Sequence, residues 1–154
     1  MKKMSFLLLM MVFFQSFNLF AQLNIDQKVT KVEYTSDWVI YQSMELVNIY
    51  YKYSDCSDAA NGFYPEYVLF KVENKTNEQV YVYWNYSVSI NNEIVENSSH
   101  ENLVQVFLAP NEIKEGECKN VWENKLGVIV GDKKSGKELS GFNLNDIKEF
   151  KLNK

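Results

Sequence analysis

From Val80 the chain places a core-type side chain at every second position: Val80, Val82, Trp84, Tyr86, Val88 and Ile90. Between them lie Tyr81, Tyr83, Asn85, Ser87, Ser89 and Asn91. Side chains alternate between faces along a strand, so the first set predicts a core face and the second an outward face. A helix would gather only Val80, Trp84 and Val88 onto one stripe, and Val, Tyr and Trp favour strands. The preceding segment repeats the pattern with Val68, Phe70 and Val72. The polar run Glu73–Glu78 separates the two, and its Asn and Thr residues suit a turn. Together they are expected to form a hairpin around which the rest of the chain is organised. Asn91-Asn92 then predicts a tight turn to Ile94, because both positions tolerate positive φ.

The same alternation marks further strands. Gln22–Tyr34 reads as a short lead-in strand and Asp37–Tyr41 as an edge strand. Glu45–Tyr53 sets Val47, Ile49, Tyr51 and Tyr53 on one face, with Leu46, Asn48, Tyr50 and Lys52 on the other. Ser54–Pro65 is a loop of turn formers. Val104, Val106 and Leu108 point inward, Pro110-Asn111-Glu112 turns the chain, and Leu126, Val128 and Val130 form another strand. Leu139–Leu144 is ambiguous between strand and loop, whereas Ile147–Leu152 closes a sheet. Seven or eight short strands predict an all-β fold, an antiparallel two-sheet sandwich of immunoglobulin-like character, with a small barrel as the alternative.

The first 21 residues have a different pattern. Lys2 and Lys3 precede an apolar run, Phe6–Phe14, and Ala21 ends the segment. This is the form of a signal peptide, and the run is too short to span a bilayer. Residues 22–154 are then one domain, long enough to bury a core. Of the sixteen basic residues, fourteen lie beyond residue 21 together with all twenty acids, leaving a net charge of −6 and no arginine. That balance argues against a nucleic-acid partner, because phosphate contacts come from clustered Lys and Arg. It also offers no polybasic patch for anionic lipid, and no stable membrane insertion is expected once the leader is removed. A secreted or periplasmic location follows.

Export changes how the two cysteines are read. Cys56 and Cys118 are expected to form one disulfide in an oxidising compartment. Two free thiols or a metal site are the alternatives, but a metal needs more ligands than two sulfurs and the single His100 supply. His100 has no nucleophile elbow or catalytic cysteine motif beside it, and phosphate-cradling glycine loops are absent. No cofactor and no enzymatic activity are expected. Asp55, Asp58, Asn61 and Gly62 carry oxygen ligands, but their spacing departs from the alternating EF-hand pattern, and a turn accounts for the same residues. Three Asn-x-Ser/Thr triplets, at Asn74, Asn85 and Asn97, fit chance in an Asn-rich chain. The feature with most binding potential is aromatic. Tyr50, Tyr81 and Tyr83 fall opposite the core sets, Tyr67 is a candidate to join them, and Asn85 continues that face. Such a surface can stack on sugars or anchor a protein; cross-strand packing is the simpler account of the same rings.

The leader MKK…FAQ and the segments VNIYYKYSDC, NGFYPEYVLFKVENKT, LAPNE and EGEC resemble small secreted proteins of flavobacteria and related Bacteroidetes that have no assigned function. The order of strands and turns also resembles immunoglobulin-like modules, including some β-sandwich proteinase inhibitors, a likeness that implies architecture only. The expectation is an exported, non-catalytic binding module of the cell envelope. Its partner is an envelope protein or, alternatively, a polysaccharide bound on the tyrosine face. If the Val80–Ile90 register is right, Trp84→Ala costs about 3–5 kcal/mol. Urea unfolding checks this, and a near-unchanged midpoint would mean the faces are reversed.

Overall fold

A computed structural model describes residues 35–95, 102–119, 123, 125–132, 134–136 and 139–152. The leader, the whole of the Gln22–Tyr34 lead-in strand, His100 and the Asn97 triplet lie outside these residues. Nine strands are described: β1 (Val39–Ser43), β2 (Val47–Asp55), β3 (Pro65–Asn74), β4 (Val80–Ile90), β5 (Glu93–Val95), β6 (Leu103–Leu108), β7 (Ile113–Glu115), β8 (Gly127–Asp132) and β9 (Leu139–Lys151). They form two antiparallel sheets packed face to face, a β-sandwich. Among the described residues no helix is long and apolar enough to cross a membrane.

The first sheet runs β1-β2-β3, and the far side of β3 is shared end to end by β8 at Pro65–Leu69 and β7 at Lys71–Glu73. The second sheet is built on β4. β9 pairs along one side of it, and β6 and β5 share the other. The strand total exceeds the expected seven or eight because each sheet has one edge made of two short strands in series. The inward faces carry the expected residues. Val47, Ile49, Tyr51, Val68, Phe70 and Val72 from the first sheet meet Val80, Val82, Trp84 and Val88 from the second. Trp84 is fully buried, edge-on to Phe70 at 6.0 Å between centroids. Its Nε1 has no acceptor among the described residues. The pattern placed this side chain by its bulk, and its burial comes at the expense of one hydrogen bond.

The expected hairpin between β3 and β4 does not form. The two strands lie in different sheets, and residues 75–79 carry the chain across the sandwich. The reason is at the corner. Asn74 is only 2% exposed. Its Nδ2 donates to the carbonyls of Glu78 and Ala109, each at 2.8 Å, and its Oδ1 accepts from the Thr76 N–H and hydroxyl, each at 2.9 Å. The crossing from β6 to β7 runs alongside, held by Asn111 N–H to Thr76 O at 2.9 Å. Asn111 takes φ of 56°, as the Pro-Asn-Glu turn requires. By contrast, the tight turn at Asn91-Asn92 is as expected. Both residues have positive φ, 51° and 67°, and Ile90 pairs with Glu93.

Three local departures have physical causes. Leu139–Lys151 is one strand of 13 residues rather than an ambiguous run followed by a short strand. Its pairing with β4 shifts between Tyr83 and Asn85, and Asp146 there has φ of 54°. The extra residue resets the alternation, which breaks the pattern in the sequence. A second shift at Ser89/Ile90 leaves Ser89 buried and Ile90 half-buried, reversing the expected faces at that end. Tyr86 is likewise only half-buried, packed at the margin of the core. Leu46 is buried although it was expected on the outer face, because it precedes β2 in the turn, where strand alternation does not hold.

The side where β1 and β9 meet is tied across the sandwich. The Glu149 carboxylate accepts from the backbone N–H groups of Glu45, Leu46 and Val47 at 2.9–3.1 Å. The Tyr41 hydroxyl accepts from the Leu144 N–H at 2.9 Å and donates to Asn143 Oδ1 at 2.7 Å. Opposite, β7 and β8 abut around Phe70, whose carbonyl accepts from Gly116 at 2.8 Å and whose N–H donates to Leu126 at 2.9 Å. A Cβ on Gly116 would stand 1.9 Å from the Leu126 carbonyl oxygen. Gly116→Ala is therefore expected to destabilise the fold by about 1–3 kcal/mol, because backbone rather than a side-chain tip must move. A melting temperature equal to wild type would show that the junction is looser than this.

Candidate functional site

The outer face of the second sheet carries the site. Val80, Val82 and Trp84 point inward, so alternation turns Tyr81, Tyr83 and Asn85 outward. The ladder sets Tyr81 opposite Phe107 on β6 and Phe150 on β9, giving one cross-strand row of three rings. The next row is Gln105, Tyr83 and Lys148, and the third is Leu103, Asn85 and Asn145. Phe107 is 57% exposed and Phe150 47%, with both tyrosines half-buried between them.

The rings stack on each other. Tyr81 and Phe107 lie 4.6 Å apart at 27°, and Tyr83 and Phe150 lie 6.1 Å apart at 15°. Tyr81 also neighbours Phe150 at 6.4 Å and Tyr83 at 5.7 Å. Near-parallel rings at 4.6 Å face one another across the strands rather than lying side by side in one plane. The surface is therefore a ridge of stacked rings, with part of each π-face used within the protein. Beside it runs a polar ladder, in which Asn143 Nδ2 donates to Asn145 Oδ1 at 2.7 Å and Asn145 Nδ2 donates to Ser87 Oγ at 3.3 Å. Phe107 could have been found in the sequence, since inward Val104, Val106 and Leu108 leave it outward. Phe150 could not, because it lies beyond the Asp146 bulge that resets the alternation.

Tyr50 is not part of this surface. It sits on β2, on the outer face of the first sheet, so the whole core separates it from Tyr81 and Tyr83. There its hydroxyl donates to Glu73 Oε2 at 2.7 Å, and Asn48 Nδ2 donates to the same oxygen at 3.0 Å. Lys71 Nζ lies 4.3 Å from the Tyr50 ring centroid, and Lys52 Nζ 4.4 Å from that of Trp38. The hydrogen bond to Glu73 raises the Tyr50 pKa, and the Asn48 and Tyr50 donors lower that of Glu73. Tyr67, the other candidate for the tyrosine face, is buried with Leu69 under Trp38 and Cys56.

Cys56 and Cys118 form a disulfide, Cα to Cα 5.3 Å, closing a loop of 62 residues. On the chain-entropy account a loop of that length is worth roughly 4 kcal/mol. The Asp55–Gly62 segment is a turn. Asp58 carboxylate oxygens accept from the Asn61 backbone at 3.3 Å and side-chain amide at 2.7 Å, which holds the Asp58 carboxyl below its ordinary range. Asp55 Oδ1 accepts from the Ser57 N–H at 3.0 Å and from its hydroxyl. Among the described residues no three His, Cys, Asp or Glu side chains converge as a metal site would require.

No family model, no curated protein and no solved structure matches this chain.

The Tyr50–Glu73–Asn48 cluster sets a pH dependence. A carboxyl with a depressed folded pKa stabilises the fold above the ordinary glutamate range and loses that contribution as pH falls through its folded value. Glu73→Gln should lower stability near neutral pH by up to about 1 kcal/mol. The gap between variant and wild type should close on acidification. Melting temperatures measured from neutral to acid pH check this, and a constant gap would mean that the Glu73 charge contributes nothing.

Proposed function

We propose that this protein is an exported, non-catalytic binding module of the cell envelope that recognises another protein through the Phe107–Tyr81–Phe150 ridge. One observation supports this above the others. Two phenylalanines about half exposed stand in register on either side of a tyrosine, on the outer face of a sheet whose inner face already completes the core. Cross-strand packing alone accounts for the tyrosines, but leaving large apolar rings in water on an outer face favours a surface that becomes covered. Export is supported by the leader sequence and by the disulfide.

Carbohydrate binding is the second reading, favoured by the side-chain amides of Asn85, Gln105, Asn143 and Asn145 on the same face. Sugar stacking calls for open ring faces, and the Tyr81–Phe107 stack covers one face of each. That weighs toward a protein partner.

The test uses residues 22–154 as bait in envelope extract, read by mass spectrometry. It is run beside a Tyr81→Ser/Phe107→Ser/Phe150→Ser variant and a Tyr50→Ser control on the opposite sheet. A protein held by wild type and by the control, but lost with the ridge variant, is the expected result. Retention on cell-derived polysaccharide with the same dependence would favour the second reading. A partner kept equally by all three chains would remove the ridge from the binding surface.

A further inference from the structure

A concave feature lies on the other sheet, away from the ridge and independent of it. The Asp55–Pro65 loop and the Cys118–Lys119 segment are joined by the disulfide, and between them is an open cleft of about 570 Å³. That is the size range of small-molecule sites. Asp55, Asp58 and Lys119 are among its lining residues with Phe63, which is 56% exposed, so the charged side chains among the described lining residues sum to −1.

Tyr67 is also part of the lining, and it is the unusual member. Its side chain is 2% exposed, and its hydroxyl makes no hydrogen bond among the described residues. Buried hydroxyls are ordinarily paired, at a cost of about 1–3 kcal/mol when they are not. Among the described residues, Trp84 Nε1 is the only polar side-chain atom that is both sealed from solvent and unbonded. The Tyr67 hydroxyl is therefore not sealed from solvent, and Tyr67 is one of the residues that line the cleft. Burial raises the phenol pKa, so the group stays neutral, with lone pairs available to a donor.

We propose that this cleft binds a small amphipathic cation, an ammonium group on an apolar or aromatic body. Its N–H donates to the Tyr67 hydroxyl in the field of Asp55 and Asp58, while its body packs on Phe63, Pro65 and the disulfide. The turn hydrogen bonds of Asp58 leave its negative charge in place, and a carboxylate has about four acceptor sites. The disulfide keeps the two walls together, so the site belongs to the oxidised protein.

Phenethylamine is the probe, titrated into the isotope-labelled oxidised chain and followed by amide chemical shifts. Phenylacetate and 2-phenylethanol serve as the anionic and neutral controls. Saturable shifts are expected at Ser57, Asp58, Phe63 and Lys119 with the amine and not with phenylacetate. Tyr67→Phe keeps the packed ring, removes the unpaired hydroxyl, and should weaken the amine about fivefold with a melting temperature equal to or above wild type. Asp58→Asn keeps a turn-capping side chain and should weaken it about twofold. Absence of saturable shifts at these amides overturns the proposal, as does equal binding of phenylacetate, or a Tyr67→Phe variant that binds as tightly as wild type.

Discussion

The fold turns on the amide of Asn74. A sandwich needs its chain to leave one sheet and enter the other without stranding buried backbone groups. Asn74 does this with four side-chain hydrogen bonds: two donated by Nδ2 to the carbonyls of Glu78 and Ala109, and two accepted by Oδ1 from the N–H and hydroxyl of Thr76. Its own backbone N–H meets Glu112, and the next residue bonds Leu46. Both crossings and the β1–β2 turn thus close on one buried polar group. A hydrophobic residue of similar size would leave these carbonyls and the Thr76 N–H without partners, in a place too enclosed for water to substitute freely.

With the chain crossing there, the two strongest apolar registers face each other instead of lying side by side. Phe70 and Trp84 come into contact because their strands are in opposite sheets, and Phe142 joins them from β9. The same arrangement gives the molecule two outer faces of different chemistry. One is a ridge of stacked rings beside a ladder of amides. The other is a ladder of lysines over Trp38 and Tyr50, closed by the Tyr50–Glu73 hydrogen bond. Around Tyr50 on that second face, Asn48, Tyr50 and Glu73 bond one another, which leaves that cluster little to offer a partner. The aromatic ridge has exposed carbon and one lysine, Lys148, within its rows, so a covering partner there displaces water without breaking protein hydrogen bonds.

The candidate site was legible wherever alternation ran without interruption. Tyr81, Tyr83 and Asn85 follow from Val80, Val82 and Trp84, and Phe107 follows in the same way from Val104 and Val106. Tyr50 obeys the same rule in its own strand, yet alternation says only that a residue faces away from the core, not which sheet it belongs to. Tyr67 shows the other limit. It faces outward in register with Leu69, but the Cys56 disulfide region and Trp38 cover that patch and bury it. Its role in the cleft depends on this cover, which belongs to segments distant in sequence.

The sequence by itself determined where β2, β3, β4, β6 and β8 lie, the inward residues of their unbroken registers, the Asn91-Asn92 turn and the pairing of two lone cysteines. These depend on a period of two, on local backbone preferences and on there being only one possible partner for each thiol. Tertiary structure alone decided that residues 75–79 cross between sheets, that Asp146 resets β9, and that Phe150 reaches the row of Phe107 and Tyr81. Each of these depends on which strands become neighbours. A polar five-residue connection fits a hairpin and a crossing equally well, and the choice falls to whichever arrangement satisfies the buried Asn74 amide and closes the core around Trp84.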